Sequence, residues 1–385
     1  MSPVRGDSCH AGEGNPAQRC LCEDSGGSGD RQVPVIRGYA IRGILFALDQ
    51  HMRRSRSLVR TLSALLILLA GISSGEARIH LRRPRPAIDA ASLVSADGVP
   101  VTGPKSPAAA ILRAQILLDR ARFSSGEIDG IYGSNFGRSV QAFKRSHGLP
   151  ANKLVDAATW KVLDQDSQEL LVGYRVEESD VSRSFAAIPS SMSEKAKLAA
   201  LDYQSPLEGL AEKFHCSPAL LKLLNPSAGF RKAGEKLTVP NVTRPPAERA
   251  ASIVVSKSDL SVSAIGADGK LLGRFVASIG SRHDPLPIGE WKILGVARNP
   301  VYNFNPKLFW DADPSDTKAV LAPGPNNPVG VVWIDLSREH YGIHGTPEPS
   351  LIGKTYSHGC IRLTNWDAWD LAQMVRPGTR ALLQK

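Results

Sequence analysis

Cysteine is scarce in this chain of 385 residues, and aromatic residues make up only 6% of it. The five cysteines are odd in number and unevenly spaced, so no paired disulfide framework is visible and the fold must be stable without bridges. With 42% hydrophobic and 22% charged residues, the chain is neither a polytopic membrane protein nor wholly disordered. What remains is a mostly soluble protein of two or three domains, each with its own core.

Acidic residues are also in deficit, with 37 Asp and Glu against 47 Lys and Arg. The formal net charge of +10 favours anionic surroundings, which include nucleic acid, phospholipid headgroups and an acidic cell-wall polymer. Charge alone does not choose among these partners.

Residues 52–77 have the order of a secretory signal peptide. Arg53 and Arg54 begin a charged start, an apolar run follows at 62–72, and small residues lead to Ala77. The apolar run is well short of the ~20 residues that a membrane-spanning helix needs. We therefore expect cleavage after Ala77, with an uncleaved anchor as the alternative.

An internal signal peptide has two consequences. Residues 1–51 are expected to be a non-native extension, with Met52 as the true start. The protein is expected in the periplasm or cell envelope, and an exported basic protein points away from nucleic acid.

Composition and periodicity divide the exported chain into segments. Residues 78–106, rich in Pro, Arg, Ser and Ala, predict a flexible tether. Residues 107–163 carry three helical patterns and predict a small three-helix domain. Residues 164–202 are interpreted as a linker, and residues 203–242 predict an α+β module of two helices and two strands.

The pattern becomes mainly β in residues 251–385. Alternating apolar residues on both sides of Asp268-Gly269 predict a hairpin, and Asn365 is expected to cap one helix that ends before Pro377. The fold class is thus a multidomain protein: a three-helix domain, an α+β module and a mainly β C-terminal domain.

Two histidines and a cysteine lie close together in this last domain. His344 stands in a Tyr-Gly-Ile-His-Gly-Thr run, and His358 and Cys360 stand in the sequence Tyr-Ser-His-Gly-Cys-Ile-Arg-Leu. A free thiol, with a pKa of ~8.5, is mostly protonated at neutral pH, so a nucleophilic cysteine needs a neighbour such as imidazole to hold it as thiolate. Gly359 allows a tight turn whose backbone N–H groups point toward a carbonyl under attack. A His2Cys metal site and a core cysteine beside two satisfied histidines are the alternatives.

The IHGT and SHGCIRL motifs resemble the active-site signature of the L,D-transpeptidases, the YkuD-type catalytic domain, over residues 251–385. The segments at 278–291 and 323–330 are also similar to that family. The resemblance implies that Cys360 is the nucleophile and His344 the general base. It requires no metal or organic cofactor.

The resemblance also implies roles for neighbouring residues. Gly345 would lend a carbonyl that orients the imidazole, and the N–H groups of Gly359 and Cys360 would form the oxyanion hole. His358 belongs to the catalytic loop, where its side chain would position substrate, and Ser357 would contact substrate beside it. Arg362 would either bind a substrate carboxylate or clamp the loop internally.

The other modules resemble wall-binding domains. Residues 107–163 are similar to the peptidoglycan-binding domain, on Gln115 and the IDGIYG, SVQAFKRSHGL and VDAATWKVL motifs. Residues 203–242 look like a LysM domain, with a purely structural spacer as the alternative. The implied partner is peptidoglycan, both its stem peptides and its glycan.

The implied reaction is a two-step acyl transfer. Cys360 attacks the bond between the third residue and the terminal D-alanine of a tetrapeptide stem, and D-alanine leaves. An amine then takes the thioester, giving a 3-3 crosslink from another stem or a protein anchor from a wall lipoprotein. If water takes it, the enzyme is an L,D-carboxypeptidase.

Two other classes compete with this interpretation. A non-catalytic peptidoglycan-binding protein is disfavoured because His344, Gly359 and Cys360 are intact. A wall hydrolase would need paired catalytic carboxylates or a zinc motif, and the sequence shows neither.

Residues 303–327 are too long for a simple turn and are rich in Pro, Asn and Asp. Their aromatic residues, among them Phe309 and Trp310, supply enough apolar surface to fold over a cleft. We hypothesise a lid that keeps water from a thioester on Cys360. The alternative is that the aromatic residues extend the core.

Overall fold

The computed structural model describes residues 88–385, so the predicted extension at 1–51, the signal peptide at 52–77 and residues 78–87 of the tether lie outside the described chain. The helices are α1 Ala90–Ser95, α2 Ala108–Arg120, α3 Ser134–Ser146, α4 Ala157–Leu163, α5 Glu178–Val181, α6 Met192–Lys195, α7 Pro206–Lys213, α8 Pro218–Leu224 and α9 Asn365–Met374. The strands are β1 Leu171–Arg175, β2 Lys236–Pro240, β3 Ser252–Ser256, β4 Ser261–Ile265, β5 Leu271–Val276, β6 Ser278–Ile279, β7 Gly289–Arg298, β8 Tyr302–Phe304, β9 Ala319–Leu321, β10 Val332–Leu336, β11 Gly342–His344, β12 Ile361–Arg362 and β13 Arg380–Gln384. Among these described residues, no helix combines the length and hydropathy needed to cross a bilayer.

The helical N-terminal region has the predicted three-helix form in α2, α3 and α4. Phe136, Val140 and Phe143 repeat at helical spacing on α3 and are buried together. Asp156 caps α4 by accepting a hydrogen bond from the Thr159 N–H at 2.9 Å.

The predicted flexible tether differs from the structure between residues 88 and 106. This stretch forms α1 and then lies against the three-helix domain, where Val101 pairs with Val155 through two backbone hydrogen bonds of 3.0 Å. Leu93 and Val101 are both buried. Burial of these two apolar side chains orders a segment whose composition alone suggested freedom.

The predicted linker at 164–202 also differs from the structure. Its β1 pairs antiparallel with β2, from Leu171 opposite Pro240 to Arg175 opposite Lys236. The unit of two strands and two helices therefore begins at 171 rather than 203, and residues 176–205 are an insert within it. A local pattern cannot reveal this, because a strand needs a partner that here lies about 65 residues away. The LysM resemblance stays a prediction.

In the C-terminal part of the described chain, nine strands form one sheet in the order β5-β4-β3-β13-β7-β10-β11-β12-β6. Strands β13 and β3 pair in parallel, as do β11 and β12, and the other neighbours are antiparallel. Helix α9 packs on β10 and β11 beside the main apolar core. Strands β8 and β9 form a separate hairpin.

The start of α9 corrects one prediction. Thr364, not Asn365, is the N-cap, and its hydroxyl accepts from the Asp367 N–H at 3.2 Å. Asn365 is the first residue of the helix, so its side chain is available for tertiary hydrogen bonds.

Buried polar contacts join the three-helix domain to α9. The Arg122 guanidinium lies 2.9 Å from the Asp370 carboxylate, and the Ser124 hydroxyl donates to Asp367 at 2.6 Å. Such pairs are costly to break once they are desolvated, so they hold these two parts in one arrangement.

Candidate active site

Strand pairing brings the predicted catalytic residues together. His344 ends β11 and lies opposite Arg362 of β12 in a parallel register, and Cys360 immediately precedes β12. His344, His358, Cys360 and Arg362 line one cleft of about 880 Å³. Residues 14 to 18 positions apart thus meet because two short strands are neighbours.

The His344 side chain is held in one orientation. It is 4% exposed, and its Nδ1 lies 2.7 Å from the Gly345 carbonyl oxygen. Because a carbonyl only accepts, Nδ1 carries the proton and Nε2 is the acceptor. Trp333 stacks on the ring at a centroid distance of 5.5 Å. Gly345 is placed as the sequence analysis expected.

The electrostatics favour neutral forms of both reactive groups. Burial, together with the positive charge of Arg362, lowers the pKa of His344 from 6.5 to about 3. Burial raises the pKa of the Cys360 thiol, although the Gly342 N–H and Arg362 oppose this. The sequence analysis expected a thiolate held by imidazole. The lowered pKa of His344 and the raised pKa of Cys360 instead favour a neutral imidazole and a neutral thiol.

The turn before Cys360 requires glycine. Gly359 has φ +100°, a conformation that other residues rarely adopt, and a Cβ there would lie 2.9 Å from the Tyr341 ring. The Cys360 sulfur lies 3.7 Å from the His340 carbonyl oxygen. Cys360, the predicted nucleophile, thus follows a turn whose backbone geometry requires glycine.

Ser357 has a different place from the one predicted. Its side chain is buried, its hydroxyl donates to the Cys360 carbonyl, and it accepts from the Gly280 N–H at 2.8 Å. These bonds stay within the fold, so Ser357 shapes the loop and does not present its hydroxyl to substrate.

His358 faces the segment that the sequence analysis interpreted as a lid. Its Nε2 lies 2.8 Å from the Asp311 carboxylate, and the Phe309 ring meets it edge-on at 5.2 Å. Trp310 is 58% exposed and packs against His283. The segment therefore reaches across to the loop that carries Cys360.

The same segment also contributes to a core. Phe304 is buried with Leu201 and Leu321 in a small apolar cluster. Phe309 packs against this cluster and also contacts His358, so the segment is both an extension of the core and a neighbour of the loop that carries Cys360.

The sequence analysis missed part of the cleft wall. Ser190, Ser191 and Met192, from the predicted linker, line the same cleft as His344 and Cys360. Leu201 donates its N–H to the Pro323 carbonyl at 3.0 Å and accepts from the Asn326 N–H at 2.9 Å. In the sequence, the apolar residues of the predicted linker at 164–202 are the signal that this segment packs against the rest of the protein.

Metal ligation was an alternative for the two histidines and the cysteine. Across residues 88–385, no group of three or more His, Cys, Asp or Glu side chains is arranged to hold a metal ion.

Comparison with known proteins is consistent with this geometry. The model of the YkuD L,D-transpeptidase catalytic domain matches residues 250–383, and the model of a peptidoglycan binding domain matches residues 108–163. A Bacillus subtilis (strain 168) protein named L,D-transpeptidase YkuD is 32% identical over 184 residues, which is 46% of this chain and 93% of the relative. A protein of the same name from Bacillus licheniformis is 31% identical over 176 residues, 45% of this chain and 90% of the relative. The crystal structure of an L,D-transpeptidase from Xylanimonas cellulosilytica DSM 15894 matches with a TM-score of 0.31 and 16% identity, over 73% of this chain and 95% of that chain.

Proposed function

The chain belongs to the YkuD family of L,D-transpeptidases, and we propose that it is an exported enzyme that transfers acyl groups from peptidoglycan tetrapeptide stems through a thioester on Cys360. The observation that carries this proposal is the cleft in which a neutral, fixed His344 accompanies Cys360.

Acylation follows from that arrangement. The Cys360 sulfur attacks the carbonyl between the third stem residue and D-alanine, and its proton passes to His344 Nε2. The N–H groups of Gly359 and Cys360 stabilise the oxyanion. The imidazolium then protonates the leaving amine, and D-alanine departs. A neutral resting pair suits this sequence, because proton transfer accompanies attack rather than preceding it.

Arg362 lines the cleft, and its positive charge is felt by both His344 and Cys360. A guanidinium at this position suits a substrate carboxylate, which would offset its charge near the imidazole. We therefore favour substrate binding over an internal clamp for Arg362.

Deacylation decides the product. An amine from a second stem gives a 3-3 crosslink, a lysine of a wall lipoprotein gives a protein anchor, and water gives an L,D-carboxypeptidase. The Phe309 and Trp310 rings lie near His358, two residues before Cys360, and this supports the proposed lid, which would favour aminolysis by keeping water from the thioester. Crosslinking is accordingly the principal proposal, and hydrolysis the alternative.

The accessory parts support an envelope location. Residues 108–163 match a peptidoglycan binding domain, and the excess of Lys and Arg over Asp and Glu favours an anionic wall. The LysM-like unit would add glycan binding. N-terminal sequencing tests the export prediction: processing after Ala77 is expected, and an intact terminus near Met1 would contradict it.

The decisive assay incubates the mature protein with purified sacculi, followed by mass analysis of muropeptides. Loss of D-alanine with new 3-3 dimers supports the proposal, and tripeptides alone indicate a carboxypeptidase. Cys360→Ala should abolish both products, and unchanged sacculi with the wild type would indicate a binding protein. His344→Ala should lower D-alanine release by about a hundredfold, because the proton acceptor is lost. His358→Ala should have a smaller effect.

A further inference from the structure

The buried side chain of Asn365 connects three segments around the catalytic base. Its Oδ1 accepts from the Thr346 N–H at 3.1 Å and from the Val331 N–H at 3.2 Å. Its Nδ2 donates to the Pro325 carbonyl at 3.1 Å. Since backbone N–H groups only donate, these partners settle which end of the amide is oxygen.

The packing around this amide is tight. A Cβ on Gly345 would lie 2.1 Å from Asn365 Oδ1, and a Cβ on Gly330 would lie 2.0 Å from it. Gly345 is the residue whose carbonyl orients His344. The Asn365 amide therefore packs directly against the backbone that holds the imidazole.

The remaining partner of Asn365 comes from outside the sheet domain. Glu212, on α7 of the middle unit, accepts from Asn365 Nδ2 at 3.0 Å and 3.2 Å through its two oxygens. The Tyr203 hydroxyl donates to the same carboxylate at 3.0 Å. The Glu212 carboxylate thus accepts hydrogen bonds from Tyr203 on one side and from Asn365 on the other.

We propose that Glu212 is a positioning residue for the transpeptidase reaction: through Asn365 it fixes the Gly345–Thr346 backbone and hence the orientation of His344. The middle unit then completes the active site and is not only a wall-binding or spacing element. This inference rests on the proposed role of His344 as base.

The chain offers a matched control on the same helix. Glu208 also reaches from α7 to the loop after β9, where it accepts from Asn326 Nδ2 at 2.8 Å. Within the described residues no hydrogen bond joins Glu208 to Asn365, so Glu208→Ala loosens the same interface without removing a direct partner of Asn365. Glu212→Gln keeps an acceptor for Asn365 and is the conservative variant.

The test uses the full mature chain and a soluble tetrapeptide donor. Glu212→Ala should lower kcat about tenfold with little change in KM, since the base is misplaced but the cleft remains. Glu212→Gln should stay within about threefold of the wild type, and so should Glu208→Ala. Hydrogen exchange at the Thr346 N–H should accelerate in Glu212→Ala and not in Glu208→Ala.

Two results would overturn the proposal: equal losses of kcat in both alanine variants, or wild-type exchange at Thr346 in Glu212→Ala. If Glu212→Ala does not fold, Glu212→Asp, which withdraws the carboxylate by one methylene, must show the same pattern. Exchange at Thr346 is independent of turnover. If the wild type releases no D-alanine, the proposed function is refuted. Hydrogen exchange at the Thr346 N–H in Glu212→Ala still tests whether Glu212 fixes the Gly345–Thr346 backbone.

Discussion

Asp367 offers a direct test of the junction between the three-helix domain and the catalytic domain. It is fully buried on α9, where the Ser124 hydroxyl donates to one oxygen at 2.6 Å. Its other oxygen has no hydrogen-bond partner within the described residues. Burial, with a contribution from Asp119, raises the pKa of Asp367 from 3.8 to about 7, although Ser124 and Arg244 oppose this.

The sign of the effect on stability follows from linkage. Because the folded pKa lies above the unfolded one, the protonated form is favoured by folding. The resulting stabilisation is fully present below pH 3.8 and is lost as the pH rises through about 7. Integration between pH 5 and pH 8 gives a loss of about 2–3 kcal/mol from this carboxyl.

Asp367→Asn removes this titration and keeps the shape of the side chain. Relative to the wild type, the variant should therefore gain about 2–3 kcal/mol in free energy of unfolding when the pH is raised from 5 to 8. Urea denaturation of the wild type and of Asp367→Asn at pH 5 and pH 8 measures the free energies of unfolding. Glu290→Gln is the control, because Glu290 is exposed on a strand and pairs with Arg380 at the surface. Loss of this exposed charge should change the free energy of unfolding equally at pH 5 and pH 8. Parallel pH profiles for wild type and Asp367→Asn would refute the reasoning.

Three further predictions concern catalysis. The fall of kcat/KM at low pH should follow protonation of His344, so activity should persist well below pH 6.5 and fall only toward about pH 3. A pH–rate profile measures this. A fall in kcat/KM near pH 6.5 would contradict the assigned base. Joint replacement of Phe309 and Trp310 by Ala should lower the ratio of crosslinked dimer to tripeptide while donor consumption persists, as muropeptide masses will show; parallel loss of both products with a lower Tm would make the segment structural. Gly359→Ala should cost about 1–3 kcal/mol in backbone strain, because φ is positive there and the new Cβ would meet the Tyr341 ring. The variant should release no D-alanine. Retained release would show that the turn tolerates a side chain.

Local signals in the sequence were sufficient for the class of the helical N-terminal region and of the mainly β C-terminal domain. Helical spacing of Phe136, Val140 and Phe143 predicted α3, because a helix buries one face. The IHGT and SHGCIRL motifs predicted the transpeptidase family, which the comparisons confirm. The turn that carries Cys360 is recognisable from the sequence because His358, Gly359 and Cys360 occupy adjacent positions.

Strand pairings, tertiary hydrogen bonds and pKa shifts between residues far apart in the sequence were decided by the tertiary structure alone. Nothing near Leu171 shows that its strand pairs with β2, and nothing near Glu212 shows that it reaches Asn365. The protonation of His344 is equally hidden, because its lowered pKa comes from burial and from Arg362 across a parallel strand pair. Sequence periodicity reports which face of an element is buried, whereas desolvation and hydrogen-bond partners are set only when separate elements meet.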